Sequence, residues 1–266
     1  MWVKCLRVMA ILSVFLMSSL IPVESKVVVL TSGDDLMVIP VPVIPVATGF
    51  CGKAPAGTIL CDALTDGKSS GSIRGGTFTD DGWKHVSGED KIVWDLGQTM
   101  EAGIIEFELT GMTANTRGGY TGQPGSERAY YFGLFNSPSG NKGAGSRPAF
   151  IEIRYNWGLS YASSSAIKLQ AGTRFTLHGE PDSGDHSEKF GTKKRGDWNG
   201  SSVYKHKVVF GNGQATLYID GQFQVTVPYR NKVLRWSHVF LGDINYAGMS
   251  GPDNVTYRNL LVIKTK

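Results

Sequence analysis

The chain has 266 residues, with 27 Lys and Arg against 23 Asp and Glu and a formal net charge of +4. Charged residues make up only 19%, and so weak a positive balance gives no electrostatic footprint of a nucleic-acid binder. Thirty-four glycines and 11% aromatic residues suit many short strands joined by tight turns. Taken in chain order, the first feature is an export signal. Lys4 and Arg7 precede an apolar run over residues 9–17, and Val23, Glu24 and Ser25 supply a cleavage region. The expected signal peptide is therefore residues 1–25, the mature start lies near Lys26, and the protein is expected to be secreted. Ser18, Ser19 and Pro22 break the apolar run short of the roughly 20 residues that span a bilayer. No later segment is apolar for long enough, so no membrane span is expected after cleavage. Residues 26–57 read as an apolar lead-in strap punctuated by Pro40, Pro42 and Pro45. Proline at alternate positions removes ladder donors, so the strap is expected to hug an edge and not to enter a sheet centre. Cys51 and Cys61 are the pair left after cleavage, and in an exported chain they predict a disulfide that pins the strap.

From residue 58 to 266 the pattern is strand, turn, strand. In 104–109, Ile105, Phe107 and Leu109 share one face and Glu106 and Glu108 the other. In 149–156, Ile151, Ile153 and Tyr155 oppose Glu152, Arg154 and Asn156. Strands follow over 168–170, 174–178, 204–210, 214–219, 222–227, 239–241 and 255–263, with Asp220-Gly221 and Gly211-Asn-Gly213 as tight turns. This persistent period of two predicts half-buried antiparallel strands and an all-β, two-sheet antiparallel sandwich.

Several phrases carry a resemblance. Trp198, Tyr204-Lys-His-Lys-Val-Val-Phe210 and Gln214-Ala-Thr-Leu-Tyr-Ile-Asp-Gly221 resemble a hairpin of concanavalin-A-like lectin/glucanase domains, including their laminin-G-like branch. Phe240-Leu-Gly-Asp243 and Asn254-Val-Thr-Tyr-Arg-Asn-Leu-Leu-Val262 resemble that family's last strands. Gly75-Gly-Thr-Phe-Thr-Asp-Asp-Gly-Trp83 and Ile92-Val-Trp-Asp-Leu96 resemble its opening ones. The resemblance implies a jelly-roll whose concave face forms a groove, with sugar bound there or on the rim. The superfamily holds lectins, hydrolases and lyases, so fold alone does not choose among them.

A retaining glycosidase needs two carboxyls about 5 Å apart. Glu180-Pro-Asp-Ser-Gly-Asp185 spells such a set but its Pro, Ser and Gly make a turn, and Glu106 with Glu108 lacks a third carboxylate in register. A polysaccharide lyase needs a cation or amide to neutralise a uronate, with a base and an acid such as His and Tyr. Arg154, Asn156, Arg174 and His178 fall at positions turned away from the core, and Arg128, Tyr130 and Tyr131 are placed to join them. Their plainer role is a solvated sheet face. Trp157, Tyr161, Tyr120, Trp198 and Tyr246 fall in or beside loops, where rings are available for sugar stacking, whereas Trp83, Trp94 and Trp236 suit the core. Calcium, common in such folds, would take oxygens from Asp182, Asp185 and Glu188 or from Asp243 and Asp253. His85 and His186 read as exposed loop histidines. The preferred expectation is a glycan-binding domain using Glu152, Arg154, Asn156, Trp157, Tyr161, Arg174, His178 and Tyr131, with a polysaccharide as partner. The alternatives are a polysaccharide-degrading enzyme, lyase before hydrolase, and an adhesion domain binding protein through residues 27–46.

Overall fold

The computed structural model describes residues 27–32, 35–40, 49–116, 128–140, 148–156, 166–173, 186–245 and 251–265. The expected signal peptide, Pro42 and Pro45 lie outside them. The chain divides into two compact units, Met1–Thr48 and Gly49–Lys266. In the first, β1 (Val27–Ser32) pairs antiparallel with β2 (Asp35–Pro40), Val27 opposite Pro40. Within the strap expected over residues 26–57, these residues form a two-stranded hairpin. Their apolar β-branched residues are good strand formers, and Pro40 takes the last position of β2, where a missing donor costs least. Among the described residues no helix is long and apolar enough to cross a membrane.

The second unit holds β3 (Thr58–Asp62), β4 (Ser72–Arg74), β5 (Thr77–Thr79), β6 (Gly82–Lys84), β7 (Lys91–Met100), β8 (Gly103–Thr110), β9 (Arg128–Phe135) and β10 (Ala149–Asn156). It continues with β11 (Ala166–Thr173), β12 (His186–Lys194), β13 (Tyr204–Gly211), β14 (Gln214–Ile219), β15 (Gln222–Pro228), β16 (Trp236–Gly242) and β17 (Thr256–Lys264). A seven-stranded sheet runs β12-β11-β10-β9-β16-β7-β4, and an eight-stranded sheet runs β15-β14-β13-β8-β17-β6-β5 with β3 added against β17. All pairings are antiparallel, giving the expected two-sheet sandwich.

The core fills the space between the inner faces. Ile105, Phe107 and Leu109 meet Ile151, Ile153 and Tyr155 there, as their alternation predicts, together with Trp83, Trp94 and Trp236. The β14–β15 hairpin turns through Asp220 and Gly221, both at positive φ (53° and 75°), which is why a β-branched residue has no place there. Trp198 is a correction. It lies beside a loop but is buried, 4.8 Å from the Tyr204 ring and stacked over His206. A ring that packs into the core is not a sugar platform. His85 is a second correction, being fully buried against the edge of Trp83.

Cys51 and Cys61 are bonded, with Cα atoms 5.7 Å apart, as the sequence predicts. The bridge ties the loop that follows Gly49 to β3. Replacing both cysteines by serine is expected to lower unfolding free energy by about 3 kcal/mol on chain-entropy grounds, read as a lower urea midpoint at unchanged slope.

Candidate functional site

The two sheets treat their outer faces differently. On the eight-stranded sheet, β8, β13 and β14 alternate between buried and part-exposed positions, so the outer face meets water. On the seven-stranded sheet, Ala149 through Tyr155 of β10 and Ala166 through Gly172 of β11 are buried on both faces. The outward positions there are mixed: Phe150 packs with Tyr130, Phe135, Phe240 and Ile244 in a second apolar cluster, and beside it lies a run of polar side chains. Glu152 and Gln170 have no exposed surface, and Arg154 and Lys168 are 5% exposed. This corrects the expectation of a solvated face. Alternation tells which side chains share a face, and not whether that face reaches solvent.

Cross-strand register assembles these residues into one strip. Arg154 lies opposite Lys168 and Tyr130, Glu152 opposite Gln170, Gln170 opposite Glu188, and Lys168 opposite Phe190. A register shift between Ile153 and Arg154 makes the arrangement possible. It lets Tyr131 and Phe132 both enter the core while Tyr130 stays on the outer face. The Arg154 guanidinium donates to Tyr130 Oη at 3.3 Å and to Glu188 Oε2 at 3.3 Å. Lys168 Nζ donates to Glu188 Oε1 at 2.6 Å. Gln170 Nε2 donates to Tyr130 Oη at 3.3 Å and to the Glu152 carboxylate. Two buried cations thus share one carboxylate. Pairing of this kind is what makes burial of the charges tolerable.

The strip is nevertheless incompletely satisfied. Arg154 Nε and Gln170 Oε1 are buried without a hydrogen-bond partner among the described residues. Orphaned buried polar atoms are rare, and each costs roughly 1–3 kcal/mol. The strip also opens at one end. On edge strand β12, the Glu188 side chain is 39% exposed and Phe190 is 40% exposed, with Lys168 Nζ 4.3 Å from the Phe190 ring centroid.

Of the residues expected from sequence, the structure brings Glu152 and Arg154 together. Asn156 ends β10, with only its backbone described. Tyr131 faces the other way, into the core, with its hydroxyl 3.2 Å from His206 Nε2. Trp157, Tyr161, Arg174, His178, Tyr120 and Tyr246 lie outside the described residues. Sequence reasoning missed Phe190, gave Lys168 and Gln170 no role in the site, and placed Glu188 only as a calcium candidate. The Lys168-Leu-Gln170 alternation was visible, but β12 was not, because its Ser, Lys, Gly and Thr give no apolar period.

Among the calcium candidates, Glu188 is engaged by Arg154 and Lys168, and Asp243 accepts from Lys91 Nζ at 3.0 Å. Burial raises the Asp243 carboxyl and Lys91 partly offsets this. Burial and the Asp90 charge raise the Asp253 carboxyl, and Asp182 and Asp185 lie outside the described residues. No three His, Cys, Asp or Glu side chains cluster as metal ligands among the described residues.

No family model and no curated protein sequence matches the chain. Solved structures do match. Trypanosoma rangeli sialidase is 14% identical with a TM-score of 0.46, over 79% of this chain and 30% of the sialidase, so the chain spans about a third of that protein. The Crh5 transglycosylase in complex with NAG is 11% identical with a TM-score of 0.47, over 80% of this chain and 86% of that one. Bacillus licheniformis beta-glucanase is 10% identical with a TM-score of 0.44, over 79% of this chain and 99% of that one.

Proposed function

We propose that the protein is a secreted glycan-binding β-sandwich that recognises an extracellular or cell-wall polysaccharide on the outer face of its seven-stranded sheet. The observation that carries this reading is the polar strip itself. Glu152, Arg154, Lys168 and Gln170 are held in register on rigid strands, with a donor on Arg154 and an acceptor on Gln170 unpartnered among the described residues. A ligand reaches the strip from its open end at β12, where the Glu188 carboxylate and the Phe190 ring are exposed. The exposed Phe190 ring at the open end offers a flat apolar surface for a sugar C–H face. Because Arg154 and Lys168 both reach the half-exposed Glu188 carboxylate, an acidic sugar entering at β12 would meet two cations already oriented for a carboxylate. The expectations for Asn156, Trp157, Tyr161, Arg174 and His178 belong to this reading as further candidate contacts, the last four lying outside the described residues.

A lyase is the second reading, favoured by one observation. Tyr130 Oη sits 3.3 Å from both Arg154 and Gln170, which unites a phenol with the cation and amide that neutralising a uronate requires. Hydrolysis has less support. Glu106 pairs with Lys207 at 2.9 Å, and Glu108 pairs with Arg258 at 2.8 Å.

A glycan array run beside product assays on each polysaccharide that binds separates the readings. Saturable binding without products, weakened at least tenfold in Arg154→Ala, supports the binding domain. Unsaturated uronate ends that vanish in Tyr130→Phe move the assignment to the lyase. Silence across the array contradicts both.

A further inference from the structure

The eight-stranded sheet carries a groove of its own on the face opposite the core. A cavity of about 570 Å³ opens over β14, β13, β8 and β17, within the size range of small-ligand sites. Its floor carries charges already paired in the plane of the sheet, Glu106 with Lys207 at 2.9 Å and Glu108 with Lys205 at 3.8 Å. Rings stand at both sides. Tyr218 lines the cavity from β14, backed at 6.1 Å by the 55% exposed Phe223. Phe50, 37% exposed, lines it from the β17 side. Phe50 immediately precedes Cys51, whose bond to Cys61 anchors that loop to β3, itself paired with β17. The disulfide therefore fixes a phenyl ring beside a polar floor.

We infer that this groove binds a neutral oligosaccharide, as a second glycan site distinct from the strip on the seven-stranded sheet. The chemistry of the lining selects that ligand. Paired carboxylates and ammonium groups present acceptors and donors to sugar hydroxyls without a net charge that would call for an anion or cation. The rings take the apolar C–H faces. A peptide strand has little to bind, because strand addition uses the free backbone groups of a sheet edge and this is a sheet face. An amphipathic helix needs an apolar floor, and this floor is charged. The four strands span about 14 Å, room for a short chain of sugars and more than one ring needs. Two sites on opposite faces would make each molecule bivalent, able to bridge polysaccharide chains or to gain avidity on one surface.

The test is a backbone-amide NMR titration of the full chain with cellohexaose, laminarihexaose and mannohexaose. The expected result is saturable shifts in β8, β13 and β14 for at least one of the three, retained in Arg154→Ala. The apparent affinity should fall at least tenfold in Tyr218→Ala and in Phe50→Ala, both with unchanged unfolding midpoints. Shifts confined to β10 and β11 would overturn this second site and leave the strip standing. Shifts in β8, β13 and β14 that survive both aromatic substitutions, or no shift with any hexasaccharide, would also overturn it.

Discussion

Replacing Asp62 with alanine is expected to cost about 4 kcal/mol of stability, among the largest losses from any single polar substitution in the protein. Asp62 ends β3 and is 6% exposed, yet five donors converge on its carboxylate. Trp94 Nε1 reaches it at 2.9 Å, Ser69 Oγ at 2.8 Å, Ser70 N at 2.9 Å, Ser70 Oγ at 3.1 Å and Leu64 N at 3.3 Å. These bonds hold the segment between β3 and β4 against the buried Trp94. Gly71 belongs to the same knot, since a Cβ there would stand 2.6 Å from Ile92 and 2.9 Å from the Trp94 ring. Alanine removes every acceptor at once and leaves the indole N–H and the Ser70 amide buried without partners. Asparagine keeps one acceptor oxygen but turns an amide N–H toward other donors, so it should recover only part of the loss. Urea unfolding of the three proteins checks this. A loss below about 1 kcal/mol for the alanine variant would mean that the donors find water instead.

The second large effect is acid sensitivity above the carboxylate range. His206 is buried between Phe107 and Trp198, and burial pushes it down to about 3, despite its backbone bond to Tyr204 and with Lys193 nearby. Its Nδ1–H donates to Tyr204 O at 3.1 Å, because a carbonyl only accepts, so Nε2 accepts from the Tyr131 hydroxyl at 3.2 Å. His85 is pushed down to about 4, chiefly by burial, with Asp90 acting in the opposite sense. Among the described residues neither of its ring nitrogens has a hydrogen-bond partner. Above the ordinary histidine value of 6.5, both residues are neutral whether the chain is folded or unfolded, and they contribute no pH dependence. As pH falls below 6.5 the unfolded chain takes up two protons that the folded chain refuses, so stability drops until about 4 for His85 and about 3 for His206. The loss is on the order of a few kcal/mol for each histidine by the bottom of its window.

Two carboxylates modify the lower end of that range. Burial pushes Asp90 up, but the Ser87 and Val86 donors outweigh it and hold the group low, so its contribution is present above about 3.8 and is lost as the pH falls through its lowered folded value. Asp243, raised by burial, gains a proton earlier in the folded state and slightly opposes the decline. Unfolding midpoints should therefore fall steadily from about pH 7 to about pH 4, and His206→Gln should show a shallower slope. A flat profile over that interval would contradict the burial of both rings.

The alternation in 104–109 and 149–156 was enough to sort Phe107 and Ile153 into the core, and Asp220-Gly221 was enough to place a hairpin. These signals are local, carried by side-chain period and by backbone conformations that few residues adopt. Burial of the second face of β10 and β11 is a tertiary property. Glu152 and Arg154 were legible as companions on one face with Tyr130 beside them, while their enclosure, and their partners Gln170 and Glu188, depend on the register of β10 with β11 and of β11 with β12. The bulge that separates Tyr130 from Tyr131 has no sequence mark, which is why Tyr131 was expected on the face that Tyr130 occupies. Trp198 looked available because loop residues usually are, but its neighbours Tyr204 and His206 draw it inward. The sequence did mark Glu106 and Glu108 as sharing an outward face. Their ion pairs with Lys207 and Arg258 required the register of β8 with β13 and β17.

Equilibrium binding of an array-selected polysaccharide to the wild-type chain and to Phe190→Ala and Lys168→Met tests the glycan-binding strip most directly. Phe190 is a surface ring on an edge strand, so its loss should leave the fold intact while weakening binding at least tenfold. Lys168→Met keeps the side chain's length and removes one of the two cations shared by Glu188, and should weaken binding of an acidic polysaccharide more than that of a neutral one. Affinity unchanged in both variants, with a ligand that still saturates, would place recognition elsewhere on the molecule and contradict the strip as the binding site.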